Sequence, residues 1–188
     1  MQRRVFLTGA LAGLPLLAAC APTPYTNPIG REARAALRFS DIVVSTSGAA
    51  FESARAADYA TRLGPELRAA LRREFADRMD PAGVPMFAEI QRLNVATGTG
   101  TAFGRDQSRM SGAVRVLDLQ GQVLGSYGIA VVAGAARESR LGALAAASLS
   151  SAERFYRALI DDFAATARTE ILGTELPGAR LLRRTTAG

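Results

Sequence analysis

Residues 110–133 read MSGAVRVLDLQGQVLGSYGIAVVA, and this stretch decides the fold. Two runs rich in β-branched residues flank Gln120-Gly121, where glycine at the second loop position permits the positive φ of a tight turn. The pattern predicts a β-hairpin with arms 110–119 and 122–133. Alternation along the first arm puts Gly112, Val114 and Val116 on one face and Ala113, Arg115, Leu117 and Leu119 on the other. On the second arm Val123, Tyr127, Ile129 and Val131 are expected on a common face. Gly125 and Gly128 mark bulging or close approach of backbone.

Upstream of the hairpin, residues 86–95, MFAEIQRLNV, predict another strand. The joining segment, ATGTGTAFGRDQ at 96–107, carries Gly98, Gly100 and Gly104, close to a dinucleotide-binding spacing. That chemistry needs a helix amino terminus behind the glycines, and here a strand follows. A Walker-type phosphate loop needs lysine, which the chain lacks. The segment reads as an inter-strand loop.

Further upstream, Leu67, Leu71, Phe75 and Met79 recur every four residues, with Arg68, Arg72, Arg73, Asp77 and Arg78 elsewhere round the wheel. The spacing predicts a helix starting at Gly64-Pro65 and stopped by residues 80–83. Tyr59 and Leu63 extend the stripe backwards, so 53–63 is expected to be helical too, with a break at Gly64. Residues 37–47, LRFSDIVVSTS, predict the first strand; Phe39, Ile42, Val43 and Val44 fail to alternate, which calls for a bulge or cover on both faces. Downstream, Ser150-Ser151-Ala152-Glu153 matches a capping box. Phe155, Leu159, Phe163 and Ala167, with Tyr156, Ile160 and Ile171, trace the stripe of a long helix that Gly173 ends.

Strand, helix, strand, hairpin, helix make an α+β fold: a small, mostly antiparallel sheet of about four strands with two main helices on one face. The expected organisation is a leader at 1–19, a tether at 20–36, a single α+β domain at 37–173 and a loosely ordered tail at 174–188.

The leader, MQRRVFLTGALAGLPLLAA, runs directly into Cys20. Arg3 and Arg4 precede an apolar run at 5–17 that is too short to span a bilayer and suits a signal peptide. Leu17-Ala18-Ala19-Cys20 resembles the lipobox of bacterial lipoproteins. The resemblance implies cleavage between Ala19 and Cys20 and acylation of Cys20; two or three acyl chains make a stable anchor where one is marginal. The alternative is an ordinary signal peptide cut after Ala19, leaving a free thiol. Residues 3–7, RRVFL, also resemble the core of a twin-arginine export signal, yet arginine supplies all 23 basic residues, so Arg3 and Arg4 leave the export route open. Ala21, where aspartate would favour inner-membrane retention in enteric bacteria, points to the outer membrane, periplasmic face; the inner membrane is the alternative.

Composition removes whole classes of chemistry. The chain has no histidine, lysine or tryptophan, and a single cysteine. Histidine acid–base catalysis, serine triads, Schiff bases and Cys/His zinc sites are excluded, and no disulfide can form within the domain. No cofactor or metal is expected beyond the covalent lipid on Cys20. The charge beyond the leader is modestly positive, and in an exported protein it does not point to nucleic acid.

The strand–helix–strand unit, followed by a hairpin whose turn carries Asp118 and Gly121, resembles over residues 37–172 small bacterial lipoproteins of unknown function. It is similar in architecture to the amino-terminal domain of TolB-type proteins and to lipoproteins that activate cell-wall synthases. Such families offer no catalytic residues and imply a non-enzymatic assembly or scaffolding factor of the envelope. Its expected partners are the membrane, through the lipid, and another envelope protein or cell-wall component. The expected contact surfaces are an exposed sheet edge and the arginine face around Arg68, Arg72 and Arg73. One alternative is a ligand-binding or transport-accessory lipoprotein with a pocket under the glycine-rich loop. Another is a carboxylate-dependent cell-wall hydrolase, against which neighbouring Asp161 and Asp162 would point about 100° apart on a helix.

Overall fold

The computed structural model describes residues 26–96, 107–133 and 151–174. A short helix α1 (Arg31–Ala36) leads into strand β1 (Phe39–Ser45), a two-residue strand β2 (Ala50–Phe51), helix α2 (Ala54–Asp58) and helix α3 (Ala60–Glu74). Strands β3 (Val84–Asn94), β4 (Ser108–Leu117) and β5 (Val123–Ala133) follow, and helix α4 (Ser151–Leu172) completes the fold. The α+β architecture is as expected, with five strands in a mixed sheet. The order is β1-β3-β4-β5, with β2 pairing on β3 beyond the end of β1. Because the chain crosses over through α2 and α3 between β1 and β3, those two strands run parallel; β3, β4 and β5 run antiparallel.

Both long helices pack on one face of the sheet, α3 over β1 and α4 over β4 and β5. The layer between them is filled by Phe39, Ile42, Met86, Ile90, Val114, Tyr127, Leu67, Leu71 and Phe163, all buried. Each large apolar side chain so buried contributes about 1.5–3 kcal/mol. The bulge anticipated in β1 lies between Phe39 and Ile42 and turns both side chains toward the helices. Phe39 meets Phe75 edge to face, with centroids 5.2 Å apart.

The structure corrects several sequence expectations. Helix α3 begins at Ala60 and runs through Gly64-Pro65 without a break; the break falls at Tyr59, which ends α2. Pro65 removes one amide early in the helix, so only the bond to Thr61 is forgone. The helix ends at Glu74, and residues 76–78 form a single 3-10 turn, so Met79 lies outside it. The hairpin connection is longer than two residues. The Asp118 carboxylate accepts from the amides of Gln120 (2.9 Å) and Gln122 (2.7 Å), and Gly121 takes the positive φ of 81°. A shift of register between Val116 and Leu117 follows, and it leaves Val123 exposed rather than on the face of Tyr127, Ile129 and Val131.

The packed body also starts before residue 37. Asn27 and buried Ile29 belong to it, and α1 lies within the expected tether. The segment from Asn27 to Phe39 joins β5, one edge of the sheet, to β1 at the other. The expected tail, from 175 onward, the glycine-rich segment 97–106 and residues 134–150 lie outside the described residues. The stem of the glycine-rich segment is pinned: Asn94 Nδ2 donates to the Gln107 carbonyl at 2.9 Å, and the Ala96 amide donates to Ser108 Oγ at 2.9 Å.

Candidate interaction groove

Strand β1 hydrogen-bonds to β3 along one side; on the other, Phe39 bridges Met79 and accepts from the Asp80 amide at 2.9 Å, and beyond Phe39 no described strand pairs with it, so that stretch forms an edge. Beside that edge runs α3. On it Pro65, Arg68, Ala69 and Arg72 fall at i, i+3, i+4 and i+7 and form a stripe next to the buried stripe of Leu63, Leu67 and Leu71. Between this stripe and the strand lies an open groove with Val43, Val44 and Thr46 on the strand side. Small residues keep it wide: a side chain placed on Gly64 would meet only the Thr46 methyl, at 3.9 Å.

The groove's charge is set by three side chains. Arg68 donates to Asp41 Oδ1 at 2.8 Å and Arg72 reaches the same oxygen at 3.3 Å. Hydrogen bonding from Arg68, and then from the Ile42 amide, holds the Asp41 carboxyl below its ordinary value. Two guanidinium groups, 47% and 50% exposed, thus share one carboxylate, and the rim keeps an excess of positive charge.

Of the three arginines expected to form one basic face, the fold brings Arg68 and Arg72 together and separates Arg73. Arg73 turns the other way round α3, toward Asp161 of α4 at 3.6 Å. That contact ties one member of the Asp161-Asp162 pair to an arginine. Cys20, Ala19, Arg3 and Arg4 lie outside the described residues.

A second polar cluster, which periodicity does not reveal, sits at the seam of α2, α3 and α4. Tyr59 and Tyr156 stack at 3.9 Å with Arg62 over both rings. Glu153 accepts from Arg62 at 3.1 Å and from Arg157 at 3.0 Å, so this carboxylate bridges two helices; Ser150, the other half of the expected capping box, lies outside the described residues. Burial, and then the Glu66 carboxylate, push the Tyr156 phenol well up. The only sequence signal for this cluster is the pair of tyrosines on two helix stripes. Among the described residues no helix is long and apolar enough to cross a membrane, and no three acidic, histidine or cysteine side chains are grouped to hold a metal ion.

No family model matches the sequence, and no curated protein sequence does. Solved structures show distant likeness of chain path. The PelC dodecamer from Paraburkholderia phytofirmans is 10% identical over 80% of this chain and 96% of its own, with a TM-score of 0.43. A proposed lipoprotein from Caulobacter crescentus CB15 is 17% identical over 76% of this chain and 96% of its own, with a TM-score of 0.37. A Xanthomonas campestris protein of family DUF330 is 11% identical over 71% of this chain and 85% of its own, with a TM-score of 0.41.

Proposed function

We propose that this chain is a non-enzymatic envelope lipoprotein. It is anchored by acyl groups on Cys20 to the periplasmic face of the outer membrane, and it acts as an assembly or scaffolding factor by binding another envelope protein. The observation that carries the binding role is the meeting, in one groove, of an arginine pair and a strand edge that beyond Phe39 has no partner among the described residues, two features that suit protein contact rather than turnover. The anchor rests on Leu17-Ala18-Ala19-Cys20 at the end of its leader and on the absence of any second cysteine or histidine that could give Cys20 a redox or metal partner.

The test compares the acylated protein with a Cys20→Ser form. Cells fed radioactive palmitate label the wild type and not the variant; an unlabelled wild type removes the anchor. Detergent extracts of the envelope then yield a reproducible partner with the wild type. Recovery of none by either form overturns the scaffold reading.

A further inference from the structure

The β1 edge and its groove have a defined chemistry, and it selects one kind of occupant. Asp41 sits between Arg68 and Arg72, so one negative charge faces two positive ones that remain about half exposed. The groove's own lining carries no acidic side chain; Val43, Val44, Pro65 and Ala69 make it apolar beside the two arginines. An added strand would lie about 4.8 Å from β1, with alternate side chains directed to the helix side. There one residue would meet the arginine pair, and its neighbour two positions along the strand, about 7 Å away, would meet the apolar floor. A second copy of this chain suits the groove poorly, because symmetric pairing of two β1 edges would oppose two arginine-rich rims.

We propose that this groove takes an extended, acidic segment of another envelope protein as an additional strand on β1, with a carboxylate seated on Arg68 and Arg72 and an apolar residue on Val44 and Ala69. The inference rests on the scaffold reading above and names the partner's recognition element. Main-chain pairing supplies affinity and the arginine pair supplies choice of sequence and register.

The test uses the full mature chain as its Cys20→Ser form, panned against a random nonapeptide phage library. Peptides combining Asp or Glu with β-branched residues are expected to be enriched. The best of them should lose at least about tenfold in affinity between about 0.05 and 0.5 M salt, and by a similar factor against an Arg68→Gln/Arg72→Gln variant. Both arginines are exposed enough for that variant to fold. A photo-crosslinking benzoylphenylalanine provides a second measurement: placed at Val43 it should capture the peptide, and placed at Val132 on the opposite edge it should not.

Enrichment without acidic residues, binding indifferent to the two arginines, capture only at position 132, or capture of a second copy at position 43 each overturn the proposal. The two readings fail separately. An envelope partner recovered equally by wild type and the double variant removes this site and keeps the scaffold. Acidic peptides bound at position 43 with no envelope partner keep the site and remove the scaffold.

Discussion

The Tyr127 hydroxyl donates a 2.9 Å hydrogen bond to Asn27 Oδ1, joining two residues 100 positions apart. The same oxygen accepts from the Ile29 amide at 2.9 Å, while Asn27 Nδ2 donates to the carbonyls of Glu170 at 2.6 Å and Ile171 at 3.3 Å. One amide therefore satisfies the end of α4, the β5 tyrosine and the entering chain. Asn27→Ala should cost about 2–3 kcal/mol, because it strands several partly buried groups at once, and Tyr127→Phe about 1 kcal/mol. Urea unfolding checks both; equal costs would contradict the shared role of Asn27.

Arg168 and Asp77 make a bidentate pair, both bonds 2.9 Å, and Arg168 also donates to the Glu74 carbonyl at 3.0 Å. The partners differ in access to water: the Arg168 side chain is 5% exposed and that of Asp77 37%. Removing Asp77 takes a bidentate carboxylate from a buried cation, whereas removing Arg168 lets Asp77 rehydrate. Asp77→Ala is therefore expected to destabilise by about 3 kcal/mol and Arg168→Met by about 1 kcal/mol. The reverse order in chemical denaturation would refute this account.

Asp41 provides a pH signature. Its folded carboxyl is held below its ordinary value of 3.8, chiefly by the Arg68 hydrogen bond. A depressed carboxyl contributes stability above its unfolded value and loses it as pH falls through the folded one. Asp41→Asn should thus be less stable than wild type at neutral pH, by less than about 1 kcal/mol for so exposed a group. The difference should close in acid. A gap that persists or widens at low pH would show that the pair is not the cause.

Two glycines in the hairpin should respond oppositely. A Cβ on Gly112 would collide with the Glu89 carbonyl oxygen, where β3 shifts register between Ile90 and Arg92. Gly128, in the exposed alternation of β5, has open space around it. Gly112→Ala should cost about 3 kcal/mol, while Gly128→Val should add roughly 0.5 kcal/mol by suiting the strand. Paired thermal melts decide it.

Helical stripes on α3 and α4 and the alternation of β4 are set by burial of the residues themselves, so periodicity reveals them. The failed alternation in LRFSDIVVSTS correctly signalled the bulge in β1. Gly64-Pro65 does not break α3 as its residue types suggest, because a lost amide early in a helix is cheap when Leu63 and Leu67 are fully buried. Thr, Pro and Asn before residue 30 resemble a linker; what orders Asn27 is a pair of carbonyls over 140 positions away, which composition does not encode. In the groove the arginines were legible on the helical wheel. Their division was not, since Asp41 and Asp161 reach α3 only through the tertiary fold.

The Asn27 clasp also sets where a pull on the amino-terminal side would first be resisted. Among the described residues β1 is the first strand, held by β3 on one side and, at Phe39 alone, by Met79 and Asp80 on the other, so tension delivered straight to it would fall on those few bonds. Tension arriving through the residues before Asn27 meets the clasp first, where bonds to α4 and Tyr127 must yield together. A tug from the amino-terminal side would thereby pass into the last turn of α4 before it reached the edge strand.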